Sequence, residues 1–256
     1  MAIDYKKEGQ IAAVTIDRPQ KMNCLSLADL TELGRVWLDF RDDDRLSVAT
    51  VTGAGETAFC TGADLKDLIP RVNSGELRLP PTIPGFLKNI CCYKPIIAAV
   101  NGMCLAGGME LLLGTDIRIA APEAVFGLPE VKLGLFPTAG STVRLPRQIP
   151  YCRAMEILLV GDMIGAREAL SVGLINRVVP RGELQNTVAS LARRICENGP
   201  LAVKAIKESV LVTDGIPENQ AYYVEAHLAG RVFGTDDATE GPRAFLEGRK
   251  PVYTGK

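Results

Sequence analysis

Pro95-Ile96-Ile97-Ala98-Ala99-Val100, followed shortly by Ala106-Gly107-Gly108-Met109-Glu110, is the stretch on which the reading of this chain turns. An unbroken apolar run opened by proline predicts a buried strand. The glycines then open a short helix through Leu113. If that helix begins near Gly107, its first N–H groups have no intrahelical partner and carry the positive end of the helix dipole. Glycine at 107 lets a ligand approach the backbone without meeting a Cβ. A thioester-like carbonyl placed there would have its developing oxyanion stabilised. The competing reading is a tight turn with close helix packing.

Glu110 falls in the first helical turn among Met109, Leu111, Leu112 and Leu113, where an ionised acid is costly and needs a reason. It reads either as a functional acid or as a buried acid paired with Arg144 or Arg118. A second acid, Glu130, closes Phe126-Gly127-Leu128-Pro129-Glu130. Its alternative is a surface acid beside Lys132. Two carboxylates sharing a water can divide acid and base roles if their environments differ. A two-point oxyanion hole needs another donor. The turn Gly62-Ala63-Asp64, also behind a short apolar segment, offers the Ala63 N–H, with Asp64 as cap of a helix through Leu65-Lys66-Asp67.

The wider chain restricts the chemistry. It has 256 residues, 29 basic against 30 acidic, and a formal net charge of -1. That balance speaks against nucleic-acid binding. No apolar stretch reaches eighteen residues, and the start Met1-Ala2-Ile3-Asp4-Tyr5-Lys6 lacks a signal-peptide pattern, so a cytoplasmic protein without a membrane span is expected. Cys24, Cys60, Cys91, Cys92, Cys104, Cys152 and Cys196 are scattered, mostly in apolar segments, as reduced thiols would be. With one histidine, His227, a Cys/His metal cluster has no ligand set. There is no G-x-S-x-G elbow, and Gly53-Ala54-Gly55 lacks the third glycine of a dinucleotide fingerprint.

Around the decisive stretch, strands are expected at Ile11–Asp17, Val48–Thr52, Asp116–Ala121 and Gly173–Val179. A helix capped by Ser26, with Asp29 in the capping-box position, runs to about Arg41. Residues 70–85, with Pro70, Pro80, Pro81 and Pro84, read as a mobile loop, and Leu87–Cys92 as a helix. Further helices are expected at Ser141–Gln148, Tyr151–Val160, Gly165–Leu170 and Leu184–Glu197. From Leu201 to Arg249 the pattern is helical, broken at Gly215–Pro217. Repeated strand–helix units argue for α/β architecture with a helical appendage.

Taken together these segments resemble the crotonase, or enoyl-CoA hydratase/isomerase, superfamily nearly end to end. The resemblance rests on Ile16-Asp17-Arg18-Pro19, Ala58–Leu65, Lys94–Gly102, Ala106–Leu111, Thr115–Ala120, Phe126–Pro137, and a tail including Thr235-Asp236-Asp237 and Phe245–Pro251. It implies a spiral of ββα units over residues 1–199 and a helical trimerisation region over 200–256, giving homotrimers or hexamers. It implies an acyl-CoA thioester substrate, with coenzyme A part of that substrate and no tightly bound cofactor or metal. Ala63 and Gly107 would form the oxyanion hole. Thr61, Gly62, Ala63, Asp64 and Leu65 would lie along the adenine and pantetheine, and Phe245 and Lys250 match positions that hold the nucleotide end. Glutamates at both 110 and 130 resemble the hydratases, so the leading expectation is an enoyl-CoA hydratase that adds water across the 2,3 double bond of an enoyl-CoA to give the 3-hydroxyacyl-CoA. Glu130 would supply the proton at C2, and Glu110 would orient or deprotonate the water adding to C3. An isomerase, or a specialised hydratase or dehydratase of cyclic, dienoyl, aromatic or carnitinyl thioesters, is the alternative. A non-catalytic binding protein is opposed by the two acids and two glycine turns. Departures are Ala106, and Pro137-Thr138-Ala139-Gly140-Ser141 where hydratases carry Gly-Ala-Gly-Gly after the proline. Neither departure is expected to touch the implied acids or donors, but both argue against a plain crotonyl substrate. Loop 70–85 is expected to close over the acyl group.

Overall fold

The computed structural model describes residues 2–77 and 84–256. It opens with a hairpin, β1 (Ile3–Glu8) antiparallel to β2 (Ile11–Ile16), and then α1 (Leu27–Asp42). Ser26 and Asp29 form the expected reciprocal capping box, which holds two otherwise unpaired donors at the helix start. Three strand pairs follow: β3 (Val48–Gly53) with β4 (Ala58–Cys60), β5 (Ile96–Val100) with β6 (Met103–Leu105), and β7 (Ile117–Ala120) with β8 (Val125–Gly127). The first member of each pair joins a six-stranded sheet, ordered β1-β2-β3-β5-β7 and then β10 (Arg177–Val178). The second joins a four-stranded sheet that ends on β9 (Ile164–Gly165). The helix α2 (Leu65–Asn73) follows the first pair and α3 (Gly107–Leu113) the second, so the chain winds as ββα turns.

Buried asparagines hold the passages from one sheet to the other. The Asn101 amide donates to the Gly53 and Gly55 carbonyls at 2.9 and 2.8 Å. The Asn23 amide donates to Ala54 and Ala58 at 3.0 and 2.7 Å. A fully buried backbone that leaves its ladder needs such partners.

Strand β5 is buried on both faces. Ile96, Ala98 and Val100 enter the main core with Trp37, Phe40, Phe59 and Phe126. Ile97 and Ala99 enter a smaller core with Leu184, Val188 and Ala192 of α7 (Leu184–Cys196). This accounts for the unalternating apolar run in the sequence. The remaining core helices are α4 (Ser141–Gln148), α5 (Tyr151–Val160) and α6 (Ala166–Ser171).

The C-terminal helices are α8 (Pro200–Val212), α9 (Glu218–Phe233) and α10 (Asp236–Leu246). In this chain α8 buries no residue fully, and α9 buries only Leu228. Lys207 ties α8 to the core through Asp116 and the Lys94 carbonyl, at 2.7 and 2.9 Å. The tail folds back on α10, where the Asp237 carboxylate accepts from the Thr254 and Gly255 N–H groups.

Four expectations need correction. Leu87–Cys92 is not helical, because Leu87 and Asn89 take left-handed φ values of 56° and 58°. Helix α2 runs past Pro70 to Asn73, so the loop expected from 70 begins later, and its residues 78–83 lie outside the described residues. Of the expected strand Gly173–Val179, only Arg177–Val178 pairs. A second break, at Gly234 with Thr235 capping α10, divides the last helical run.

Candidate active site

Two backbone turns meet at the mouth of an apolar cavity. Gly62, at the end of β4, has φ +89°, a conformation L side chains rarely adopt. A Cβ on Gly62 would lie 2.6 Å from the Gly107 nitrogen, and one on Gly107 would lie 2.6 Å from Phe86 Cζ. The bare backbones therefore bring the Ala63 and Gly107 N–H groups to one wall. Among the described residues neither N–H has a protein acceptor. Ala106, which caps α3, is held at φ 51° and ψ -126°, a strained conformation for a residue with a Cβ.

The cavity has a volume of about 370 Å³, and Thr61, Ala63, Leu65, Gly107, Glu110 and Glu130 all reach it. Leu27, Leu30, Leu68, Ile69, Leu133 and Phe136 supply much of its apolar wall.

Glu110 sits in the first turn of α3 and is 4% exposed. The arginines offered as its alternative partners are engaged elsewhere. Arg118 donates to the Leu174, Leu113 and Thr115 carbonyls and to Gln148, and Arg144 to the Phe86 and Leu87 carbonyls. Instead, one Glu110 oxygen, Oε1, accepts from the Ala139 N–H at 2.7 Å, the Ser141 N–H at 3.3 Å and the Ser141 hydroxyl at 3.0 Å. The departure from Gly-Ala-Gly-Gly does touch an acid, contrary to expectation: Ser141 contributes a hydroxyl donor that glycine lacks. Burial pushes the Glu110 carboxyl above its ordinary range, and the Ser141 and Ala139 donors and the nearby Lys88 oppose that rise.

Glu130 lies in a 3-10 turn, Pro129–Leu133. Its Oε2 is buried and has no partner among the described residues. Burial, with the negative charge of Glu110 adding to it, pushes its carboxyl up to about 7. Lys132, the neighbour that suggested a surface role, pairs with Asp162 instead. One acid is thus held by three donors, and the other is short of partners and favours its proton.

Asp64 points away from the cavity. It caps α2 by accepting from the Lys66 N–H at 3.2 Å and pairs with Arg18 at 3.1 Å and Lys21 at 3.5 Å. With those groups it lines an adjoining cationic cleft that shares Leu27 with the cavity. Phe245 and Lys250 are not brought to the cavity by this single chain. Phe245 is 83% exposed, and Lys250 reaches Glu197 at 3.7 Å. Phe86 and Lys88 line the cavity but carry no recognisable sequence signal. Their placement depends on the irregular path through Leu87 and Asn89.

Among the described residues no group of three or more His, Cys, Asp or Glu could hold a metal ion, and no helix is long and apolar enough to cross a membrane.

Residues 6–256 match the family model described as Enoyl-CoA hydratase/isomerase. The chain is 41% identical over 255 residues to Enoyl-CoA hydratase EchA19 of Mycobacterium tuberculosis, covering 98% of this chain and 96% of that one. It is 40% identical over 263 residues to the Carnitinyl-CoA dehydratase of Escherichia coli K12, covering 100% and 99%. Among solved structures, the enoyl-CoA hydratase of Mycobacterium tuberculosis H37Rv is 36% identical with a TM-score of 0.92, over 100% of this chain and 99% of that one. The Bacillus anthracis enoyl-CoA hydratase is 34% identical with a TM-score of 0.90, over the whole of both chains.

Proposed function

The chain belongs to the enoyl-CoA hydratase/isomerase family, and we propose that it is a specialised hydro-lyase, moving water on or off C2–C3 of a thioester more elaborate than crotonyl-CoA. It is an enzyme of the hydratase/isomerase type acting on an acyl-CoA. The finer assignment is carried by one observation: Glu110 and Glu130 face one cavity in unlike environments, beside two N–H groups that have no acceptor among the described residues.

The thioester carbonyl accepts from Ala63 and Gly107, so charge developing at that oxygen in the enolate-like state meets preorganised donors. Glu110, with Oε1 held by three donors, keeps its other oxygen for water and takes the proton as that water adds to C3. Glu130, holding its proton up to about pH 7, delivers it to C2. Both act on the same face, so the addition is syn, and dehydration runs the same steps backwards. A wall rich in Leu, Ile and Phe suits an extended acyl body, and similarity of 40% to a carnitinyl-CoA dehydratase over the whole chain supports a substrate outside the simple short-chain series. Plain 2-enoyl-CoA hydration is the second reading, favoured by the 41% identity to an enoyl-CoA hydratase.

Exposed Phe245 and Lys250 suit a neighbouring subunit's nucleotide site in a homotrimer or hexamer.

Incubating the enzyme with a panel of 2-enoyl-CoA thioesters tests the reading. The panel holds short linear, branched, cyclic, aryl and carnitine-derived acyl groups. Loss of enoyl absorbance, with a product heavier by one water and a rate highest for a larger acyl group, is expected. Migration of a 3-enoyl bond to the 2-position with no water gained by any member would instead make the enzyme an isomerase.

A further inference from the structure

Lys88 is the one cation among the described residues that line the cavity. The fold takes some trouble to put it there. Leu87 and Asn89, on either side of it, hold left-handed φ values of 56° and 58°. Asn tolerates that conformation, but at Leu87 it persists only where the surroundings impose it. The preceding carbonyls are pinned: Gly85 accepts from the Trp37 indole N–H at 3.0 Å, and Phe86 and Leu87 accept from Arg144.

The ammonium itself is only partly satisfied. It donates to the Thr138 carbonyl at 2.6 Å, which uses one of its three N–H groups. No carboxylate oxygen of the described residues lies within 4.0 Å of it. The sequence between the described segments, Arg78-Leu79-Pro80-Pro81-Thr82-Ile83, contains no acid. Glu110 is too far to be its salt-bridge partner, and its Oε1 is already filled by Ala139 and Ser141. Lys88 still feels the Glu110 charge at longer range, but a half-buried cation facing an apolar cavity with no carboxylate in direct contact has room for one that a ligand supplies.

We propose that Lys88 is a specificity residue that receives a carboxylate carried at the far end of the acyl group. The preferred substrates are then 2-enoyl thioesters of dicarboxylic acids. Thr138, whose carbonyl orients Lys88, adjoins Ala139, whose N–H holds Glu110, so the cation lies on the Glu110 side of the site. There it meets the part of the acyl chain beyond C3. A cationic acyl group would meet a like charge at the same point. This inference rests on the hydro-lyase reading above.

The test compares kcat/KM for glutaconyl-CoA and 2-hexenedioyl-CoA with that for 2-pentenoyl-CoA and 2-hexenoyl-CoA. The same set is run on the parent, Lys88→Met and Lys88→Arg. The ratio between the two series is the readout, because it cancels any difference in the amount of folded enzyme. The parent is expected to favour the carboxylated series by about tenfold or more, the scale of a desolvated charge pair. Lys88→Met should abolish the preference, mainly through KM, and Lys88→Arg should keep most of it. A parent that favours the neutral series, or a Lys88→Met variant that slows both series alike, overturns the inference while hydration itself stands. If neither series gains water, the hydro-lyase reading fails and takes this inference with it.

Discussion

At Gly62 a missing methyl group is what lets the two backbone turns meet. A Cβ there would sit 2.6 Å from the Gly107 nitrogen, a backbone atom that cannot swing aside as a flexible side chain would. Gly62→Ala should therefore separate the two donors and lower kcat by about 10²- to 10³-fold, the range for losing one such donor. Stopped-flow turnover with a saturating thioester measures it, and a variant within threefold of the parent would remove the Ala63–Gly107 pair from the mechanism. The Glu130 carboxyl titrates at about 7 in the fold, above the ordinary 4.5. The proton it donates is present below that value and lost as pH rises through it, so hydration should fall on the alkaline side of pH 7. Stability has the same sign. Between 4.5 and about 7 the native state keeps a proton that the unfolded chain releases, so stability drops as pH rises across that window. Glu130→Gln should flatten this part of a Tm-against-pH curve and reduce kcat by about 10²- to 10⁴-fold.

Helix α4 is the element that decides how Glu110 behaves. Its start offers the Ser141 N–H and hydroxyl, and the turn before it offers the Ala139 N–H, all to one carboxylate oxygen. Burial raises the Glu110 pKa and these donors hold it down. Ser141→Ala removes one donor from the charged form, so the acid limb of the kcat/KM profile should move to higher pH, with about a tenfold loss of rate near neutrality. An unchanged acid limb would mean that Glu110 is not the group titrating there. Elements like this also mark what could be read in advance. Ser26 and Asp29 announce α1, and the apolar run from Ile96 announces β5, because caps and burial patterns are local. Glu110 and Glu130 stood out as acids in apolar sequence for the same reason. Ser141 as a partner of Glu110 did not, since that contact spans 31 positions and depends on how α3 meets α4. Lys88 was hidden by the left-handed backbone at Leu87, a residue type that does not advertise a positive φ, although Asn89 beside it is of a type that tolerates one. The ββα winding was reached through resemblance alone. Strands of three residues such as Ala58–Cys60 carry too little pattern to be seen, and two such strands pair only after the chain has wound between sheets.

Over the whole molecule, the C-terminal helices look unfinished in a single chain. Val210 on α8 and Tyr223 and Phe233 on α9 are 66%, 79% and 81% exposed, and Phe245 and Leu246 at the end of α10 exceed 80%. So many large apolar side chains on three consecutive helices fit a surface that another subunit covers. Sedimentation equilibrium should return three or six times the 27.5 kDa chain mass. The double variant Val210→Glu, Tyr223→Glu should fall towards one. That variant also tests what assembly contributes to binding. Phe245 and Lys250 lie outside the cavity of their own chain, and if a neighbour's copies hold the nucleotide end, the dissociated enzyme should show a KM raised about tenfold for a CoA thioester with a smaller change in kcat. An N-acetylcysteamine thioester of the same acyl group lacks the nucleotide, so parent and variant should share one KM for it. A KM raised equally for both thioesters would place the damage in the acyl cavity and leave the nucleotide end to the cationic cleft around Arg18, Lys21 and Lys66 of the same chain.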